Sequence, residues 1–232
     1  MDQNELKEPM PQEPQEAPKE TQSKEPHKEP VFQQKIFGKY STETVKITDP
    51  SLTPYINLDG RNTPHSFGKA TETRFGKGKV NIVERLINKL MRSGQGKRKL
   101  SGKYIRGRGS CGKKINAMKI VERAFIIIER ETKQNPIQSL IQAIENSAFR
   151  EDTTRIKKGG VAYSVSVDVS PMRRVDEAIK NLALAGFASS FNSKVSAEEG
   201  LAKEIILASK GDNASFSIRR RDEIERIAMS SR

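Results

Sequence analysis

Residues 135–179 read NPIQSLIQAIENSAFREDTTRIKKGGVAYSVSVDVSPMRRVDEAI, and the hydrophobic period changes twice inside them. After Asn135-Pro136, which supply an N-cap and a first helical residue, Ile137, Leu140, Ile141, Ile144 and Ala148 trace one face of a helix. From Thr153 to Val169 the period drops to two. Val161, Tyr163, Val165, Val167 and Val169 alternate with small or polar residues, which marks a strand with one apolar face. Gly159-Gly160 supplies the positive-φ residues of a hairpin turn. Ser170-Pro171 then repeats the helix start, and Val175, Ala178, Ile179, Leu182 and Gly186 line the next helix. A two-stranded hairpin is marginal alone, so one over 153–169 implies support from outside the bundle.

Working outward, the same helical period recurs on both sides. Asn81 with Glu84 resembles a capping box and opens a helix carrying Ile82, Val83, Leu86, Ile87 and Leu90, which Gly94 and Gly96 end. A second runs from about Asn116 to Lys133, with a wide apolar stripe that suggests a central position. After the hairpin and the fourth helix, Ser196 and Glu199 form a capping box for a fifth helix that stops at Gly211. A short basic sixth starts near Ser217. The expected fold is mainly α, a bundle of about six helices with a two-stranded β-hairpin protruding between helices three and four.

Three regions are expected. Residues 1–34 read as a disordered acidic, Pro-rich tail, since positions 1–30 hold eight acids, four lysines and six of the eleven prolines. Residues 35–80, punctuated by Pro and Gly with short apolar anchors such as Ile36, Tyr40, Leu52 and Ile56, read as an extension packed on the core or on a partner. Residues 81–232 form the helical domain.

The 232-residue chain has 42 basic and 29 acidic residues, a net +13, a pI near 9.8 and a mean hydropathy of −0.69. Without the first thirty residues, 38 basic and 21 acidic residues give +17. No apolar run approaches the 18 or more residues of a membrane span, and no apolar leader follows Met1. One cysteine, Cys111, and two histidines, His27 and His65, exclude an internal disulfide and a Cys/His metal cage. These features point to a soluble, cytosolic protein with a polyanionic partner.

The cations gather at particular places. Residues 92–114 contain no acid, six glycines and nine basic residues: Arg92, Lys97, Arg98, Lys99, Lys103, Arg106, Arg108, Lys113 and Lys114. Glycine lets a backbone approach phosphates and the cations release counterions, so this loop reads as a nucleic-acid contact. It is not a phosphate loop of the nucleotide-binding kind, because Gly112 is followed by Lys113-Lys114 and not by Lys-Ser/Thr. Arg173-Arg174 lies in the first turn of the fourth helix, where a cation opposes the helix dipole, which suggests an external anion. Arg219-Arg220-Arg221 is a weaker signal because Asp222, Glu223 and Glu225 follow. Lys157 and Lys158 sit at the hairpin tip. Catalysis finds little support: Glu151-Asp152 reads as ion-paired, His65 as a turn residue, and Cys111 has no paired base.

Several runs are similar to a known family: IVERL at 82–86, NPIQ at 135–138, REDTTRI at 150–156 and VDVSPMRRV at 167–175. KIFGKYST at 35–42, TPHS at 63–66 and RRDEIERIA at 220–228 resemble its eukaryotic form. By these motifs the chain, over about 35–232, resembles the universal small-subunit ribosomal protein seven family, called ribosomal protein five in eukaryotic small subunits. The resemblance implies a structural, non-enzymatic protein without cofactors that binds the 3′ major domain of small-subunit rRNA. It further implies neighbouring proteins of the head and platform, assembly through the nucleolus, and work in the cytoplasmic ribosome. By position it implies rRNA contacts from the 92–114 cations, Arg150, Arg155, Arg173, Arg174, Arg219, Arg220 and Arg221. Lys157, Lys158, Gly159, Gly160, Tyr163 and Arg232 would lie near mRNA and exit-site tRNA. Two features depart from the family: residues from Leu100 to Gly112 look inserted, and the return strand VAYSVS lacks the arginines usual in eukaryotic members. The reading of a different class is a helical DNA-binding or chromatin-associated regulator.

Overall fold

The computed structural model describes residues 35–68, 72–94, 98–100, 103–105 and 112–232. The acidic stretch 1–34, and Lys97, Arg106, Arg108 and Cys111 of the basic loop, lie outside the described residues.

Six α-helices and two antiparallel hairpins follow one another in the described chain. Helix α1 spans Ile82–Leu90, strands β1 Arg98–Leu100 and β2 Lys103–Ile105, and helices α2 Lys114–Thr132 and α3 Pro136–Ser147. Strands β3 Glu151–Lys158 and β4 Val161–Asp168 precede α4 Pro171–Ser190, α5 Ala197–Ser209 and α6 Phe216–Met229. The helix starts obey local chemistry. Asn81 accepts from the Val83 amide at 2.8 Å and Asn135 from the Ile137 amide at 3.0 Å. Ser196 and Glu199 make the full reciprocal box. Asn81 with Glu84 does not: the Glu84 carboxylate turns away to Ser66 and Lys114. Helix α6 begins one residue before Ser217, because Ser215 caps it. Glu204 of α5 then accepts from Ser215 Oγ, Ser217 Oγ and the Ser217 amide, placing a buried anion at the α6 N-terminus.

Helix α5 is the centre of the bundle, packed on α2, α3 and α4. Its approach to α4 depends on paired glycines. A Cβ on Gly186 would stand 3.2 Å from the Leu201 backbone, and one on Gly200 would meet Ser189 Oγ at 2.1 Å and the Gly186 carbonyl at 3.1 Å. The buried faces of α1–α5 then close on one apolar core that includes Leu86, Phe125, Leu140, Ile179 and Leu201.

The segment before α1 has little regular structure but enters that core through Ile36, Tyr40, Leu52 and Ile56. Each such side chain contributes about 1.5–3 kcal/mol on burial. Phe125 receives the edges of Phe37 and Tyr40, with ring centroids 6.1 and 5.9 Å away. The Tyr40 hydroxyl donates to Glu129 at 3.2 Å, and burial followed by that carboxylate pushes the phenol up to about 12. Polar clips complete the attachment. Glu145 accepts from the amides of Thr48 and Asp49, and Asp176 takes Arg85 at 3.0 Å together with Lys77.

Candidate nucleic-acid interface

The β3–β4 register pairs Ile156 with Tyr163, Arg155 with Ser164 and Lys158 with Val161. Gly159 and Gly160, at φ +59° and +82°, close the turn; positive φ at both positions is the demand of a type I′ hairpin, and a Cβ added at either would meet nothing within 4 Å. Eight residues per strand give the arm a length of about 25 Å. Alternation sorts it into two faces. One carries Ile156, Tyr163, Val165 and Val167, the other Arg155 and Lys157 opposite Ser164 and Ala162. The alternation of the sequence is thus real, but this chain leaves the apolar face uncovered: Ile156 is 48% and Tyr163 54% exposed. Arg155 and Lys157 are exposed and have no ion-pair partner among the described residues.

The base of the arm is clamped. Helix α6 packs on β3 and β4, Glu225 accepts from the Arg150 amide at 2.9 Å, and the Ser231 carbonyl accepts from the Ser166 amide at 3.3 Å. Arg232 pairs with Glu151, and Arg173 pairs with Asp152 at 2.7 Å. The Arg232 hydrogen bond is the main influence holding the Glu151 carboxyl below its ordinary range. Both carboxylates of the Glu151-Asp152 pair are therefore ion-paired, with residues distant in sequence and not with the flanking Arg150 and Arg155.

The remaining sequence-predicted cations divide by their surroundings. Arg92, Lys113, Arg150 and Arg219 have exposed side chains. In the basic loop, β1 and β2 form a short antiparallel ladder with Arg98 opposite Ile105, Lys99 opposite Tyr104 and Leu100 opposite Lys103, a structure the loop reading missed. Lys114 lies inward. Its Nζ sits 2.6 Å from Glu84 Oε1, with side-chain exposures of 19% and 2%. The Ser66 amide and hydroxyl donate to the same oxygen at 2.9 Å. Burial works to raise the Glu84 pKa, but the hydrogen bonds of Lys114 and Ser66 outweigh it, and the net direction is down.

Arg174 is also engaged internally. Only 7% exposed, it donates to Asp49 at 3.0 Å and to Ser51 Oγ at 2.8 Å, so the anion that its helical position calls for lies in the chain's own extension. Ser51 first and then Arg174 hold the Asp49 carboxyl below its usual range, against burial. Arg220 pairs with Glu223 at 2.5 Å, while Arg221 reaches Asp222 and the Asn146 carbonyl, both at 2.6 Å. Sequence reasoning did not single out Asp49, Asp176 or Glu204, since their partners are far along the chain or backbone groups.

Pairing strength decides which cations stay available. Exposed ion pairs contribute about 0–1 kcal/mol, so Arg173, Arg220 and Arg232 can exchange a carboxylate for a phosphate at little cost. A buried pair broken on one side loses about 3–5 kcal/mol, which keeps Lys114 and Arg174 in place. His65 accepts from the Phe67 amide through Nδ1 at 2.9 Å, a turn role. Among the described residues no cluster of His, Cys, Asp and Glu could hold a metal, and no helix is long and apolar enough to cross a membrane.

A bundle of this kind, with outward cations on a clamped arm, suits docking on a polyanion better than chemistry on a small molecule. A family model described as ribosomal protein S7p/S5e matches residues 59–232, about three quarters of the chain. The match begins inside the extension and includes all six α-helices and both hairpins. Members of this family are structural components of the ribosome and bind its RNA and neighbouring ribosomal proteins. The chain belongs to the ribosomal protein S7p/S5e family, and with it to the rRNA-binding proteins of the small subunit that serve translation.

Proposed function

We propose that the chain docks on the 3′ major domain of small-subunit rRNA, in the head, and extends the β3–β4 arm toward the mRNA exit path and exit-site tRNA. Maturation through the nucleolus belongs to the same reading. The observation that carries it is the division of labour within one molecule. The cations with exposed side chains on the body, Arg92, Lys113, Arg150 and Arg219, serve phosphate positioning. Arg155 and Lys157 ride on an arm whose base is fixed, and both are exposed without an ion-pair partner among the described residues. Phosphate contacts position, and an arm held at one end brings a few cations to a second strand of RNA.

The test separates body from tip. Replacing Lys157 and Lys158 together by Ala is expected to leave incorporation into small subunits near normal while altering frame maintenance or exit-site tRNA retention. Failure of that variant to enter subunits makes the tip an assembly element and refutes the division. In parallel, affinity of the full chain for an rRNA head fragment is expected to fall with salt, the log–log slope growing by about 0.7–0.9 per phosphate contact. A flat titration refutes electrostatic docking.

A further inference from the structure

The triplet Phe-Gly-Lys occurs three times before α1, at 37–39, 67–69 and 75–77. In each the phenylalanine has a left-handed backbone, φ +54°, +52° and +61°, a conformation costly for so bulky a side chain. The fold accounts for the first, because Phe37 packs its ring on Phe125. Phe67 leans on the His65 ring, with centroids 4.3 Å apart. Phe75 is held out instead: it is 70% exposed, and the guanidinium of the exposed Arg74 lies 5.1 Å from its centroid. Phe75 lines a cleft of about 510 Å³ between the extension and the start of α4, with Asn57, Leu58, Asp59, Lys79 and Met172. Asn57 fixes the polar end of that cleft. Its Nδ2 donates to Asp59 Oδ2 at 2.8 Å and to the Lys79 carbonyl at 2.6 Å, and its Oδ1 accepts from the Asp59 amide at 2.7 Å. Among the described residues Asp59 Oδ1 has no donor and Asp59 no cation, while the exposed Arg74 and Lys79 hold no carboxylate.

We propose that this cleft binds an unpaired guanine of RNA. The base stacks on Phe75, its N1–H and N2–H groups donate to Asp59, and Arg74 and Lys79 take the flanking phosphates. Each part of the site asks for a different part of that ligand. An open aromatic ring asks for a flat face, and the two cations ask for anions beside it. The carboxylate excludes a bare phosphate or an acidic peptide by repulsion, and an apolar peptide would take its water without returning a donor. A base edge returns donors. Guanine alone among the four bases presents two adjacent N–H donors on its pairing edge, the arrangement a carboxylate accepts in parallel. The inference rests on the rRNA-binding reading and deepens it: beside phosphate docking that is blind to sequence, it assigns one site that reads a base.

The experiment titrates the full chain with an rRNA head fragment over a range of salt concentrations. Failure of the native chain to bind overturns the rRNA-binding reading and this inference with it. Given native binding, Phe75→Ala is expected to lower affinity by about fivefold or more at every salt concentration, with the log–log slope unchanged, because stacking releases no counterions. Phe75→Tyr keeps the ring and should bind like the native chain, whereas Arg74→Ala should reduce the slope. Benzoylphenylalanine at position 75, irradiated in the complex, is expected to join one unpaired guanosine. Inosine at that nucleotide lacks the N2 amino group; it should weaken binding of the native chain but not of Asp59→Ala. A smaller loss in Phe75→Ala, an equal loss in Phe75→Tyr, or a changed slope in Phe75→Ala would overturn the proposal. So would crosslinks to another base, to paired RNA or to protein.

Discussion

Lys114→Met tests whether a cation in the basic loop belongs to the fold or to the RNA. In the native chain Lys114 Nζ lies 2.6 Å from Glu84 Oε1, and the Glu84 side chain is 2% exposed. Methionine keeps most of the volume and removes the charge, leaving a buried carboxylate with only the two Ser66 donors. Breaking one side of a buried pair costs about 3–5 kcal/mol. Ser66 remains and the lysine tip is partly hydrated, so the lower end applies, about 3 kcal/mol. At about 2–4 °C per kcal/mol for a chain of this size, the melting temperature should fall by about 6–12 °C. Glu84→Gln in the same background removes the stranded charge and keeps an acceptor for Ser66, so the double variant should recover most of the loss. The pH dependence has a definite sign. In the native chain the Glu84 pKa is lowered, so its stabilisation is present above the unfolded value and is lost as pH falls through the folded one. In Lys114→Met the Lys114 contribution that lowers that pKa is gone, so the pKa moves up and the deficit, full at neutral pH, narrows as acid neutralises the carboxylate. Thermal unfolding at pH 7.5 and pH 5 measures both effects. A variant that melts with the native chain but binds an rRNA head fragment more weakly would show that Lys114 is a phosphate ligand and that the ion pair is dispensable.

Arg174→Ala should destabilise by about 2–3 kcal/mol, less than a fully buried pair because Asp49 stays partly hydrated and bonded to Ser51; faster limited proteolysis within residues 42–56 locates the damage. Gly159→Asn should be neutral at the arm's turn, since asparagine tolerates positive φ, whereas Gly160→Val should broaden the amide signals of β3 and β4 without lowering the melting temperature of the bundle. Equal disturbance from both variants would refute the turn assignment. Removing residues 1–30, which carry eight acids and four lysines, should leave rRNA-fragment affinity equal or modestly higher, with the gain visible at low salt; a tenfold loss refutes this.

The arm and the helices were legible because their information is local. The switch from three-and-four to two and back, with Gly159-Gly160 at the turn and proline starts on both sides, lies within 45 consecutive residues. The site was legible only in its residue types. Arg174 reads as a cation facing an external anion, but the carboxylate it meets is Asp49 of its own chain, 125 positions earlier. Glu84 reads as the second half of a capping box, yet Ser66 and Lys114 compete for the same carboxylate and win because they satisfy a buried charge. The short β1–β2 ladder escaped notice because three-residue strands in a glycine-rich basic loop leave no period to detect.

The position of α5 in the chain order bears on synthesis. Helices α2, α3 and α4 all rest on a helix that begins at Ala197, so their apolar faces leave the polypeptide tunnel before their common partner exists. The growing chain therefore carries uncovered Ile, Leu and Phe faces, together with its basic loop, until Ser209 has emerged. During that interval the Gly186 surface of α4 is an open notch waiting for Gly200, and apolar faces and cations are uncovered at once. A nascent chain stalled after Ser190 should bind a hydrophobic dye, and one stalled well beyond Ser209 should not.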